Sequence, residues 1–248
     1  MMMFSKLFYG FSLSFSMLTV IPFFKVHHFY KGINGYAVMF YPLVGFILGG
    51  VLAGFYYALH PYINESYLYV LTFALWVGLT GALHLDGVAD VFDALFVSKQ
   101  RREEVLKDPH IGAMGMIFTF VFMLVKLAAL MQVGLIYLLP LVLMFSRFNV
   151  VMAIYFFPYK RKKGMASLAK SEFRMGHFLL SVLMVICIGV GESVYFSTWM
   201  IAFLFLPLVL VYILAKRIFG GFSGDLYGLL IEFTELVLLH IIMFPAHL

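Results

Sequence analysis

Three aspartates stand at i, i+4 and i+7 in the run His84-Leu85-Asp86-Gly87-Val88-Ala89-Asp90-Val91-Phe92-Asp93. On a helix, at about 100° per residue, Asp86, Asp90 and Asp93 share a stripe roughly 60° wide. Carboxylates this close repel one another, and loss of water near a membrane raises the cost. A divalent cation removes both problems, and all-oxygen donors suit Mg²⁺ or Mn²⁺ rather than zinc. The chemistry that follows is displacement at phosphorus, which needs positioning and charge neutralisation. The rival reading is that these aspartates cap helices or pair with Lys99, Arg101 and Arg102. A single aspartate would favour that rival; three at this spacing favour the metal. His84 lies off the stripe, as a base behind the metal, a phosphate contact or an ordinary interfacial polar residue.

Two further clusters bear on the same chemistry. Gly220-Gly221-Phe222-Ser223-Gly224-Asp225 precedes Gly228, Glu232 and Glu235. Glycines such as Gly224 let backbone amides approach an anion. Asp225 and Glu232 are seven residues apart and share a helical face. Lys107-Asp108-Pro109-His110-Ile111-Gly112-Ala113-Met114-Gly115 forms a turn into an apolar stretch, where Asp108 is placed to cap a helix and Lys107 and His110 to meet a phosphate. Lys126 and Arg147 fall inside apolar stretches, so each must face the interior or snorkel. Arg147 suits an anionic substrate and Lys126 a buried carboxylate; structural pairing is an equal reading for both.

The elements that hold these residues are membrane helices. Of 248 residues, 64% are hydrophobic and 12% charged, and mean hydropathy is +1.02. Soluble domains are nearer half apolar and a quarter charged, so a water-soluble globule and a disordered chain are excluded. The single cysteine, Cys187, excludes a disulfide framework and reads as a small buried hydrophobe. Apolar stretches lie at about 4–23, 36–59, 67–85, 113–132, 136–157, 178–191, 196–215 and 227–245, several reaching the ~20 residues that span a bilayer. Their backbones must bond internally, which makes each one a helix, and none shows the short alternating pattern of a barrel. The expected fold is an all-α polytopic membrane bundle of about 7–8 segments. In the first stretch Ser12, Ser16 and Thr19 are expected to face other helices, opposite Phe8, Phe11, Phe15 and Leu18.

All Lys and Arg residues except Lys6, Lys126 and Arg147 fall in alternate loops, with the loops at 60–66, 132–135 and 191–195 free of them. That asymmetry places the cationic loops in the cytoplasm. The Lys160–Lys163 block reads as a topology determinant rather than a nucleotide contact. The chain is thus expected to be one integral-membrane catalytic domain, residues 1–248, with cytoplasmic active-site connections at about 86–112, 158–177 and 216–228.

Thr80-Gly81-Ala82-Leu83-His84-Leu85-Asp86-Gly87-Val88-Ala89-Asp90-Val91-Phe92-Asp93-Ala94 resembles the signature of the cobalamin synthase family, the adenosylcobinamide-GDP ribazoletransferases. Lys107–Gly115, Leu18-Thr19-Val20-Ile21-Pro22 and Gly224-Asp225…Gly228…Glu232 resemble its other segments, so the likeness runs the length of the chain. It departs at Phe92, where a small residue is usual, and at His110, where arginine is common. The resemblance implies a Mg²⁺-dependent enzyme of cobalamin biosynthesis. A hydroxyl of α-ribazole or its 5′-phosphate attacks the cobinamide-side phosphorus of adenosylcobinamide-GDP, and GMP leaves. It implies Asp86, Asp90 and Asp93 as ligands of metal and pyrophosphate, with one of them or Asp225 taking the proton. His84, Lys107, Asp108, Arg147, Gly224 and Glu232 are the candidate substrate contacts. The implied setting is the cytoplasmic (inner) membrane, with the lipid bilayer as partner, no nucleic acid, and a homo-oligomer compatible with the sequence.

Two rivals differ in their marks. A CDP-alcohol phosphatidyltransferase would carry Ala-Arg after the Asp-Gly pair, whereas Asp90 follows Ala89 here and Asp93 comes early. A small-solute transporter would show internal repeats and interrupted helices near the bilayer centre, and no repeat is visible.

Overall fold

A computed structural model describes residues 3–21, 26, 29–134, 136–160, 164–191 and 203–243. Pro22, Lys25, residues 161–163, the 192–195 loop and the start of the 196–215 stretch lie outside the described residues. In chain order the helices are α1 (Met3–Leu18), α2 (Ile33–Met39), α3 (Tyr41–Leu59), α4 (Glu65–Thr80), α5 (Leu83–Leu95), α6 (Arg102–Val105) and α7 (Ala113–Gln132). A 3₁₀ turn, Ile136–Leu138, runs into α8 (Leu139–Phe156). Then come α9 (Met165–Glu172), α10 (Met175–Gly191), α11 (Leu206–Leu214) with a π turn Ala215–Phe219, and α12 (Gly224–Met243). Among the described residues the fold is all-α; the only extended pairing is one bridge between Tyr159 and Phe222.

The core is built around α8, whose Leu141–Val151 run is buried on every side. A helix apolar all round belongs inside a bundle. It packs chiefly on α3 and α12. Close approach to α3 needs small residues: a Cβ at Gly49 would lie 2.5 Å from the Leu139 carbonyl and the Pro140 backbone. By contrast α7 exposes Met116, Ile117, Phe120, Val121 and Leu124 along one side. In a bilayer that stripe meets lipid.

Four helical segments among the described residues are long and apolar enough to cross a membrane: α3, α7, Ile136–Phe156 and α12. The number rises to six if two bent pairs each count as one span. The protein is therefore a multi-pass helical bundle, and its described residues supply fewer spans than the seven or eight expected. Helix α1 has 16 residues and α11 nine, both short of the hydrocarbon thickness. The 67–85 stretch breaks, with α4 and α5 meeting at 85°, and α9 meets α10 at 94°. Two smaller expectations also change. Cys187 is exposed on α10 rather than buried. In the first stretch Ser12 and Thr19 are buried, but so are Phe15 and Leu18, while Ser16 is exposed.

Candidate active site

The sharp exit from α4 creates the site. Gly81 (φ 60°) and Ala82 (φ 55°) both adopt left-handed backbone, and their amides bond back to the Gly78 and Val77 carbonyls. This is the hydrogen-bond pattern that ends a helix at a left-handed cap. Ala82 is the only non-glycine residue in that region among the described residues, a conformation that costs about 1–3 kcal/mol and clusters at functional sites. The reward is direction: α5 starts at Leu83 and leaves the axis of α4 at 85°. The three aspartates thus ride on their own helix rather than on the end of a span, and the expected helical stripe holds because α5 covers Leu83–Leu95 without a break.

Within the stripe the three carboxylates differ. Asp86 is exposed and Asp90 half-buried. Asp93 accepts hydrogen bonds from the Gly112 amide at 2.6 Å and the Gly115 amide at 2.7 Å, one on each oxygen. Those amides belong to the first turn of α7, which has no partner for them in its own helix. A carboxylate there also meets the positive end of the helix dipole. Asp93 therefore caps α7 from across the site. The cap expected from Asp108 does not form: that carboxylate turns onto the amide (3.0 Å) and ring Nδ1 (2.7 Å) of His110. These bonds, the amide's first, hold the Asp108 carboxyl below the usual carboxylate range. Lys107 is exposed on the turn between α6 and α7.

Helix α12 closes against α5 with almost no side chain between them. A Cβ at Gly87 would lie 2.7 Å from the Asp225 carbonyl, and one at Gly228 would lie 3.0 Å from that of His84. The two glycines bring Asp225 beside the Asp86–Asp90 edge. The glycine turn before α12 is not an open anion nest throughout. Gly220 (φ 79°) and Gly221 (φ 147°) make the reversal. The Gly221 amide bonds to the Ala215 carbonyl, and the Phe222 amide to that of Pro158. Ser223 caps α12 by accepting from the Leu226 amide at 3.3 Å, and its hydroxyl donates to Asp225 at 3.2 Å. Gly224 is exposed at the helix start.

Gly87→Ala should therefore spread α5 from α12. Overpacking of this kind costs about 1–3 kcal/mol, and a shift near 1 Å at a reacting centre costs on the order of 100-fold in rate. A drop of that size in turnover, with membrane insertion intact, is the expected result. Gly78→Ala is the control, since a Cβ there meets nothing within 4 Å.

Arg147 and Glu232, read from sequence as substrate contacts, are committed elsewhere. Lys126 donates to Glu232 at 2.6 Å and to Glu235 at 2.5 Å, and Arg147 pairs with Glu235. All four residues are at most 3% exposed. Lys126 also sits 4.2 Å from the centre of the Trp76 ring, and Arg147 donates to Ser146 at 2.8 Å. Two cations and two carboxylates neutralise one another inside the bundle and tie α7 and α8 to α12. Glu235, which the sequence only grouped with its neighbours, is the shared acceptor.

Among the described residues, no three His, Cys, Asp or Glu side chains converge as a metal cage. The donor set is that of a carboxylate pair, Asp86 and Asp90, on an accessible edge. Such a set fits Mg²⁺, which keeps several waters and is held by one or two carboxylates together with substrate phosphates.

Residues 10–243 match the family described as Cobalamin-5-phosphate synthase. The chain is 35% identical over 230 residues to an adenosylcobinamide-GDP ribazoletransferase of Deinococcus radiodurans, covering 92% of this chain and 82% of that one. It is 32% identical over 246 residues to the enzyme of that name from Desulforamulus reducens (93% and 94%). It is also 32% identical over 217 residues to that of Desulfitobacterium hafniense (81% and 83%). No solved structure matches the chain.

Proposed function

Because the chain belongs to the cobalamin-5-phosphate synthase family, we infer that the α5–α12 edge is where it acts as an adenosylcobinamide-GDP ribazoletransferase of cobalamin biosynthesis. The observation that carries the site is the juxtaposition of Asp86 and Asp90 with Asp225 across the Gly87 contact. In the reaction a hydroxyl of α-ribazole, or of its 5′-phosphate, attacks the cobinamide-side phosphorus. The bond from that phosphorus to the bridging oxygen breaks, and GMP departs with that oxygen. When bound, Mg²⁺ supplies charge neutralisation on the pyrophosphate. Asp86 and Asp90 are the residues to hold it. Asp225, oriented by Ser223, is positioned to take the proton of the attacking hydroxyl. Asp93 works at one remove: by capping α7 it fixes the Lys107–Gly112 turn beside the site.

The helix ends that build this edge also carry the cation-rich connections: the end of α5, the start of α7, the end of α8 and the start of α12. That supports a site on the cytoplasmic side of the inner membrane. The deciding assay is nucleotide release by purified protein in detergent. GMP should appear from adenosylcobinamide-GDP only when α-ribazole or its phosphate is added. Release of CMP from a CDP-alcohol, with none of GMP, would transfer the site to the phospholipid chemistry.

A further inference from the structure

We propose that a cavity of about 390 Å³ beside the aspartate edge is the pocket for the aromatic base of the acceptor nucleoside. The proposal rests on the ribazoletransferase reading above and goes beyond it by assigning a substrate part to a place. The cavity is walled by the ends of α1 and α8, the starts of α3, α5 and α12, and α9. Its volume falls in the ~300–1,000 Å³ range of small-molecule pockets.

Its lining has three properties that select a ligand. First, no Asp, Glu, Lys or Arg is among the described residues that line it, so the described lining supplies no charge to balance a phosphate. Second, it holds two buried polar atoms with no hydrogen-bond partner, His84 Nδ1 and Tyr227 Oη, on side chains each 6% exposed. Buried polar atoms left unpaired are costly, and a ligand with one or two ring nitrogens and a sugar would satisfy them. Third, two lining residues, Tyr159 and Tyr227, begin a ladder of near-parallel rings that continues behind the wall. Tyr159 stacks on Tyr227 (5.9 Å between centres, 20°), Tyr227 on Phe222 (5.3 Å, 19°) and Phe222 on Phe157 (5.8 Å, 22°). A flat heteroaromatic prolongs such a stack. Guanine fits poorly, because its edge needs several donors and acceptors, whereas Tyr41 donates its hydroxyl to Met17 Sδ at 3.6 Å and the other described side chains of the remaining walls are apolar, Leu18, Val150, Ile154 and Ile231 among them. A benzimidazole-type base, mostly hydrocarbon with few polar atoms, fits. The location agrees: His84 is two residues from Asp86, and Gly224 precedes Asp225, so the ribose of a base held here is directed toward the carboxylates.

The test uses a benzimidazole riboside with purified full-length protein in detergent. Equilibrium binding is measured without donor, and the KM of each substrate is measured in GMP release. Two variants are compared with wild type. Tyr227→Phe removes the hydroxyl and should raise the acceptor KM about tenfold, leaving the KM for adenosylcobinamide-GDP unchanged. Ala166→Phe fills the cavity from α9 and should abolish riboside binding. If both variants bind the riboside as wild type does, or if Tyr227→Phe raises the donor KM instead, the assignment is overturned. Failure of the underlying reading looks different: wild-type protein would bind the riboside yet release no GMP.

Discussion

Asp86→Asn and Asp90→Asn are each expected to slow GMP release by about 10²–10³-fold, while the protein still inserts and unfolds at the wild-type temperature. Removing a single preorganised electrostatic contact to the reacting charge costs about that much, and on the proposed reading each carboxylate is also one of the few protein ligands of a hard cation. Stability should be spared because Asp86 is exposed, Asp90 is half-buried, and the amide replacement is nearly isosteric. Asp93→Asn is the internal contrast. Its two oxygens receive the Gly112 and Gly115 amides, and charge-assisted bonds of this kind contribute about 1.5–3 kcal/mol. The variant should lower the apparent melting temperature by several degrees and lose less activity than its two neighbours. If all three lost activity alike with no change in stability, the division between metal ligands and cap would be wrong.

The largest stability effect is expected at Glu235. Glu235→Gln leaves Arg147 without its carboxylate and Lys126 with only one of two, all fully or almost fully buried. Breaking a buried pair by deleting one partner costs about 3–5 kcal/mol, enough to remove much of the folded protein from a membrane extract. Restoring neutrality should help: Arg147→Met combined with Glu235→Met leaves the Lys126–Glu232 pair intact and should be more stable than Glu235→Gln alone. Thermal unfolding in detergent reads both. A Glu235→Gln protein of normal stability with a raised KM for adenosylcobinamide-GDP would instead return Arg147 to the substrate.

The contrast between Asp93 and its neighbours also shows how far the chain could be read before folding. The 113–132 stretch became α7 with the same bounds, and 36–59 and 136–157 nearly so, because a long apolar run closed by Gly, Pro or polar residues leaves the backbone little choice. The helical spacing of Asp86, Asp90 and Asp93 was equally legible, since it is a local property. The bend at Gly81-Ala82 was not. Hydropathy reports depth and carries no direction, and the run continues across the two left-handed residues. Nor was the partner of Asp93, which lies 19 and 22 residues away and is defined by helix packing alone. The same holds for Lys126 and Arg147. Burial without water told that each needed a partner, but only the bundle brings Glu235, about a hundred residues on, between them. The apolar composition of the 4–23 stretch did not reveal that its helix, α1, has 16 residues.

Divalent-cation binding is the most direct test of the claim that the α5 edge and the pyrophosphate hold one metal between them. Mn²⁺ is titrated into purified protein and bound ion is followed by electron paramagnetic resonance, with and without adenosylcobinamide-GDP. Wild type should bind Mn²⁺ weakly alone and at least tenfold more tightly with the donor present, Asp93→Asn should do the same, and the Asp86→Asn/Asp90→Asn double variant should lose the enhancement. Donor-enhanced binding that survives in the double variant would contradict the account.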